Sequence, residues 1–266
     1  AQTVPPGFIP IGGGLAICAD VQSANAALTI DPALGAGAAL AASIDQVTHS
    51  GAKPIALANF LCLGSIDSTI QQIRLRKTVD GLGRTSNLIG LPMAGGHSSF
   101  LLGANARPLL STCCIGVAPV AQLQRRVQPA FGDLILFVGR KTGFDALPRE
   151  QTAGLATNRR GRWPKISDAL ALTKLRNAIS SAASKGLLLD SSPLSVGGMP
   201  VAMFNLADRA QRGLRFDLDK LPMQSANFTP RALLHSETPE RALIVVSKRN
   251  HREISDHFSA YGFESI

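Results

Sequence analysis

The sequence predicts an α/β or α+β protein built in two lobes, and three observations carry that prediction. Short apolar runs of strand length, such as Gly14–Ala19 and Asp133–Val138, alternate with longer segments that have helical spacing and helix caps. A Pro- and Arg-containing stretch at residues 119–132 separates two such series, which places one lobe at residues 1–122 and the other at 123–266. The chain is 45% hydrophobic but has one Trp and one Tyr, so its cores rely on Ala, Gly and branched aliphatics in close packing.

In the first lobe, Gly14–Ala19 reads as a strand ending at Asp20, and Ala27–Ile30 as another, closed by Asp31-Pro32. Leu34 to Ser50 reads as a helix, with Asp31 as its N-cap, Pro32 in its first turn and Gly51 at its end. A strand follows at Pro54–Ala58. Ser68 to Asn87 reads as a second helix, with a break expected at Gly81-Leu-Gly83. A short strand leads to Gly95-Gly96, and Leu109–Val117 is the next.

In the second lobe, Asp133–Val138 is a buried strand stopped by Gly139, and residues 143–165 read as irregular. Asp168 to Lys185 is a helix with an acid at its positive end, a base at its negative end and Gly186 as cap. Pro200–Arg212 reads as a helix and Leu214–Leu218, which alternates, as a strand. Ala242–Val246 is a strand and Arg249–Tyr261 a closing helix.

A formal charge of +9 favours anionic partners: nucleotides, phosphorylated metabolites, RNA or an acidic protein surface. Arg125 and Arg126 form one cluster and Arg159, Arg160 and Arg162 another, and these five are the candidate anion- or partner-binding residues. Apart from Trp163 no aromatic side chain interleaves with them, which argues against a stacking platform for single strands. Cys18, Cys62, Cys113 and Cys114 form no C-x-x-C pair and read as buried reduced thiols, suited to a reducing compartment. No apolar run reaches the roughly 20 residues of a membrane span. The chain begins at Ala1 rather than Met, which reads as a processed or trimmed start. A cytoplasmic location is expected, with the mitochondrial matrix, after removal of a targeting segment, as the alternative.

Seven segments then resemble one family in order and spacing: Asp31–Ala38, Ser50–Leu57, Gly95–Phe100, Phe131–Gly139, Lys185–Leu187, Ser195–Gly198 and Leu234–Arg241. Together they resemble a module of phosphoribosylformylglycinamidine synthase, closest to the second of its two homologous modules. That module belongs to the aminoimidazole ribonucleotide (AIR) synthase superfamily, which includes selenophosphate synthase and a hydrogenase maturation protein. The resemblance spans nearly all of residues 12–266. It implies an AIR-synthase-like two-lobe fold, in which strands of the N-terminal lobe join a second module in a shared barrel and the C-terminal lobe is α/β. It also implies a partner module, in the same or another chain, and ATP or ADP with Mg²⁺ as cofactors.

The departures from the family concern its acids. Where it carries His-Asp-x-Ser-Asp/Glu-Gly-Gly-Leu, this chain keeps Ser195, Gly197 and Gly198, but has Ser192, Pro193 and Val196 at the His and acidic positions. A helix Glu is replaced by Ala41, the residue after Gly95-Gly96 is His97, and an Asn-Phe-Gly-Asn-Pro stretch has become Leu61–Ser65. Pro and Val cannot hold a metal-bound phosphate. Nucleotide and Mg²⁺ binding are therefore expected to be weakened or lost, with Asp20 the one metal-ligand candidate and no catalytic residue assigned.

The nucleotide- or phosphate-binding candidates are Asp20, Lys53, Asn59, Gly95, Gly96, His97, Ser99, Ser195, Gly197 and Gly198. Each has a plainer alternative. His97 serves phosphate contact or a structural hydrogen bond, and Asp20 a metal or a strand end. The Gly pairs serve an anion or turns of positive φ, and Lys53 a phosphate or solvent. Ser236-Glu237 reads as a loop-fixing pair, and His235, His251 and His257 as surface residues. Three functions remain open. The chain is a mainly structural module completing an ATP-dependent amide-to-amidine ligase. Or it is a pseudoenzyme recruited as a structural subunit of a larger, RNA-containing complex. Or it is an active dimeric relative in which Asp45, Asp67 and Asp80 converge with Asp20.

Overall fold

The computed structural model describes residues 7–23, 25–105, 107–124, 128–145, 169–225 and 228–266. The chain divides into two compact units, Ala1–Gln124 and Arg125–Ile266. Both mix helices with antiparallel-dominated sheet, as the sequence predicts.

The first unit holds a five-stranded sheet of β1 (Ile9–Gly12), β2 (Leu15–Ser23), β3 (Lys53–Leu63), β4 (Met93–Phe100) and β5 (Leu109–Pro119). Their order is β1-β2-β5-β3-β4, antiparallel except for β3 with β4. Strand alternation sends Ala16, Cys18, Leu57, Leu61, Leu110, Cys114 and Ala118 to one face. There they meet Ala36, Leu40, Ile44 and Val47 of α2 (Pro32–His49) and Leu82 of α3 (Thr69–Ile89). The contact is close: a Cβ on Gly116 would lie 2.3 Å from Val47 Cγ1, and Thr112 Oγ1 donates to Ala39 O at 2.9 Å. The small residues of α2 permit that approach. Asp31 caps α2, its carboxylate accepting from the N–H groups of Ala33 and Leu34.

Two expectations fail in this unit. Ala27–Ile30 is not a strand but part of a short helix, α1 (Asn25–Ile30), which runs into α2 through Asp31 N–H donating to Ala27 O. Four apolar residues carry no period, and here the buried Leu28 and the backbone packed on Gly35 decide the matter. Nor does α3 break at Gly81-Leu-Gly83. Gly81 lies where α3 presses on α2, and a Cβ there would come 2.3 Å from Ala33 O; Gly83 faces open space.

The second unit holds β6 (Leu134–Gly139), β7 (Asp190–Pro193) and β8 (Arg241–Val246) in the order β6-β8-β7, all antiparallel. Both faces are covered. Leu136, Val138, Ile244 and Val246 pack on α5 (Ala169–Ser184) and α8 (His251–Ala260). Phe137, Leu243 and Val245 pack on α6 (Gly198–Ala210) and α7 (Pro230–His235). Hence every residue of β8 is buried, and its sequence is a continuous apolar run after Arg241. The remaining helix, α4 (Val120–Gln124), closes the first unit.

Leu214–Leu218 alternates as expected, yet it pairs with no strand. Leu214, Phe216 and Leu218 pack on the α6 cluster while Arg215 and Asp217 face solvent, so burial alone produces the alternation. His257 is buried rather than on the surface: Nε2–H donates to Ala178 O at 2.9 Å, and Lys185 Nζ lies 3.4 Å from Nδ1. Among the described residues no helix is long and apolar enough to cross a membrane.

The two α3 glycines give a crossed prediction. Ala is the better helix former by about 1 kcal/mol. Gly83→Ala should therefore raise the thermal midpoint, whereas Gly81→Ala should lower it, because overpacking costs about 1–3 kcal/mol. Calorimetric melting of both variants checks the difference in sign.

Candidate functional site

In the first unit the candidate residues fall on two faces and two ends of the sheet. β4 is an edge strand, and Gly95 and Gly96 lie within it rather than in a turn; neither has positive φ. Gly96 pairs with Asn59, and a Cβ on it would lie 3.0 Å from Asn59 Nδ2, so its bareness makes room for that amide. His97 pairs with Phe60, the two rings stacking with centroids 5.9 Å apart at 10°. Ser99 is two residues further along β4, opposite Cys62. Lys53 is exposed at the far end of β3, six residues from Asn59, or about 20 Å along a strand.

Asp20 stands apart from these. It pairs with Cys114, which pairs with Leu57, three strands or about 14 Å from β4. Burial pushes its carboxyl above the usual range, opposed by Gln22 Nε2–H, which donates to Oδ2 at 2.7 Å. Burial also raises the Cys113 thiol, and the neighbouring Asp20 adds to the rise. Cys18, Cys62 and Cys114 are buried and Cys113 half-buried. Among the described residues no three of His, Cys, Asp and Glu gather as a metal set, so Asp45, Asp67 and Asp80 do not converge with Asp20.

In the second unit the candidates sit where β7 leads into α6. Gly197 and Gly198 do have positive φ, +86° and +67°, and a Cβ on Gly198 would strike Leu234 O at 2.5 Å. The turn thus needs glycine for its conformation and for its closeness to the end of α7. Its two amides are engaged. Gly198 N–H donates to Ser195 O at 2.9 Å, and Gly197 N–H donates to Glu237 Oε1 at 2.8 Å. Glu237 therefore places a carboxylate at the N-terminus of α6, where a phosphate oxygen would otherwise find a donor. Burial raises its pKa, while the Gly197 hydrogen bond and the Arg241 guanidinium pull it down.

Arg241 organises this region. Nε donates to Thr238 O at 2.7 Å, Nη1 to Thr142 Oγ1 at 2.9 Å and Nη2 to Ser236 O at 2.8 Å. Burial lowers its pKa to about 10, chiefly against the pull of Asp145, which still leaves it charged at neutral pH. Thr238 Oγ1 donates to Asp145 Oδ2 at 2.7 Å, and Ser236 Oγ to Gly143 O at 2.6 Å. Ser236-Glu237 does fix a loop, as the sequence suggests, and Glu237 reaches further, to the Gly197 turn. The nearest signal for that reach in the sequence is the acidic residue between two loop-forming hydroxyls, and spacing alone does not aim it. Val196 is exposed, while Ser192 and Pro193 are buried in edge strand β7, where Pro is tolerated. The clusters Arg125-Arg126 and Arg159, Arg160 and Arg162 lie outside the described residues.

Residues 6–118 match the family described as AIR synthase related protein, N-terminal domain, and residues 132–265 match AIR synthase related protein, C-terminal domain. The phosphoribosylformylglycinamidine synthase subunit PurL of Staphylococcus aureus (strain JH9) is 28% identical over 263 residues, covering 97% of this chain and 36% of that protein. T. maritima PurL complexed with ATP has a TM-score of 0.82 at 22% identity, covering 98% of this chain and 41% of that one. The hydrogenase maturation protein HypE gives 0.69 at 17%, covering 97% and 80%. The chain thus spans little more than a third of its curated relative, and the solved structures share its fold. The chain belongs to the AIR synthase related family, whose N-terminal and C-terminal domains it carries in that order.

Proposed function

We propose that this chain is a mainly structural module of a phosphoribosylformylglycinamidine synthase-like assembly. With a partner AIR-synthase-like module it would complete a ligase that uses ATP and glutamine-derived ammonia to turn an amide into an amidine. The observation that carries this reading is the second face of the five-stranded sheet. Leu15, Ile17, Val21, Leu109, Ile115, Val117 and Phe60 alternate onto it, and α2 and α3 pack on the other side. Val21 is 61% exposed and Leu15 39%. A contiguous apolar sheet face of this kind is an association surface, and the family's shared barrel supplies its partner.

The degenerate status rests on the ligand geometry. The candidate acids do not gather, and the α6 N-terminus already holds the Glu237 carboxylate, which would repel an incoming phosphate. ATP, ADP and Mg²⁺ binding by this chain is therefore weak in this reading. Isothermal titration with ATP and ADP, with and without Mg²⁺, should give no Mg²⁺-dependent heat at millimolar nucleotide. Tight Mg²⁺-dependent binding would refute the degenerate status. In that titration RNA serves as a separate ligand, and salt-dependent RNA binding would favour the rival role in an RNA-containing complex.

Val21→Asp tests the face. It should leave the melting temperature nearly unchanged and weaken association with a co-expressed AIR-synthase-like module by tenfold or more, read by sedimentation velocity. Equal association of variant and parent would remove the face from the interface.

Glu237 also sets a pH dependence. Its folded-state pKa is raised, so folding takes up a proton, and stability falls as pH rises from the usual carboxylate range through the raised value. Glu237→Gln keeps an acceptor for Gly197 and should flatten that decline, measured as urea midpoints between acid and neutral pH.

A further inference from the structure

We infer that the second unit carries a separate binding site for a small aromatic phosphate, of nucleoside monophosphate size, at the C-terminal end of α6. A cavity of about 630 Å³ opens there, between the turn at residues 129–133, the start of β6, and the loop that follows α6. That volume lies in the range of small-molecule sites. Gly197 and Gly198 are at the other end of the 13-residue helix, about 20 Å away, so this site does not depend on the module reading above.

The lining divides by chemistry. Leu206 and Val245, both buried, and Ile135 and Leu214, half-buried, form an apolar wall. Phe131 is 100% exposed at the apex of a tight turn. That turn is rigidly built: Ala130 N–H donates to Asp133 Oδ2 at 2.7 Å, Asp133 N–H returns a bond to Ala130 O at 3.2 Å, and Gly132 supplies φ +90°. The ring, free of other side chains, is open to stacking by a planar ligand.

The lining holds two guanidiniums and one carboxylate. Arg212 Nε donates to Pro129 O at 3.2 Å, tying the loop to the turn. Arg215 is exposed on the same loop. Among the described residues neither makes an ion pair, and the one carboxylate, Asp133, is engaged by its own turn. The negative end of α6 is also quieted. Gln211, at φ +51°, turns the chain so that its N–H and that of Arg212 bond Asp208 O and Ala207 O. A phosphate meeting Arg212 and Arg215 thus gains charge-assisted hydrogen bonds that a neutral aromatic cannot. An aliphatic anion would forgo the Phe131 face, so ring and phosphate are needed together.

Calorimetric titration of the full chain with AMP, adenosine and inorganic phosphate tests this. AMP should bind at submillimolar concentration, with adenosine and phosphate each at least tenfold weaker. Phe131→Ser and Arg215→Gln, both at exposed positions, should each weaken AMP about tenfold, the scale of one stacked base or one charged pair, with unchanged melting temperature. Absence of AMP binding at millimolar concentration would overturn the assignment. So would binding that Phe131→Ser and Arg215→Gln leave intact, or binding that adenosine or phosphate alone matches.

Discussion

Among the described residues of the first unit, helices pack on one side of the five-stranded sheet. That constraint shapes the sequence on both faces. On the covered face the residues are small and fully buried, because α2 lies close enough for Thr112 to reach Ala39 and for Gly116 to sit beneath Val47. On the other face Leu15, Ile17, Val21, Ile115 and Val117 remain apolar although α2 and α3 do not reach them. Each such side chain gains about 1.5–3 kcal/mol only when covered. A sheet that keeps several of them in one patch is built to associate, and the proposed module-to-module barrel follows from this more directly than from any polar residue.

The second unit solves the same problem internally. Its three strands are covered on both faces, so β8 is apolar along its length and needs no partner for burial. What it adds is a polar centre. Arg241 is buried at the start of β8, and its three donors hold Thr142, Ser236 and Thr238 in place. A buried guanidinium with unmet donors would be costly, and here each of its three nitrogens donates to a partner. The same loop aims Glu237 at Gly197. The Arg241 network therefore sets the geometry of the α6 N-terminus without touching it.

Much of the fold was legible, and the reasons differ by element. Long, strongly patterned segments were read correctly: α2 with its Asp31 cap, β5, β6, β8 and α8. Short elements were missed or mistaken. The four residues of β7 contain Pro193 and two Ser, a composition with no strand signal, and they pair only because β8 offers an edge. Ala27–Ile30 is as apolar as a strand yet folds as part of α1. The site was less legible than the fold. Proximity in sequence put Gly95, Gly96, His97 and Ser99 together, but strand alternation splits them between two faces. Asp20 reads as their natural companion and lies three strands away. Glu237 was legible as a loop residue and not as the partner of a glycine forty positions earlier, because that distance is closed only by tertiary packing.

In the proposed degenerate module, stability resides away from the positions where the resemblance places acids. The contacts that hold each unit are the close α2–α3 and α2–sheet approaches, the covered β8 and the Arg241 network. None uses Ala41, Pro193 or Val196 as a carboxylate, so replacing acids at those positions removes no fold-determining bond. Unpaired carboxylates gathered around an absent cation would instead repel one another. The α6 N-terminus is different, since its amide donors persist whatever ligand is lost. Glu237 supplies an acceptor there, and Arg241 offsets part of the cost of its burial.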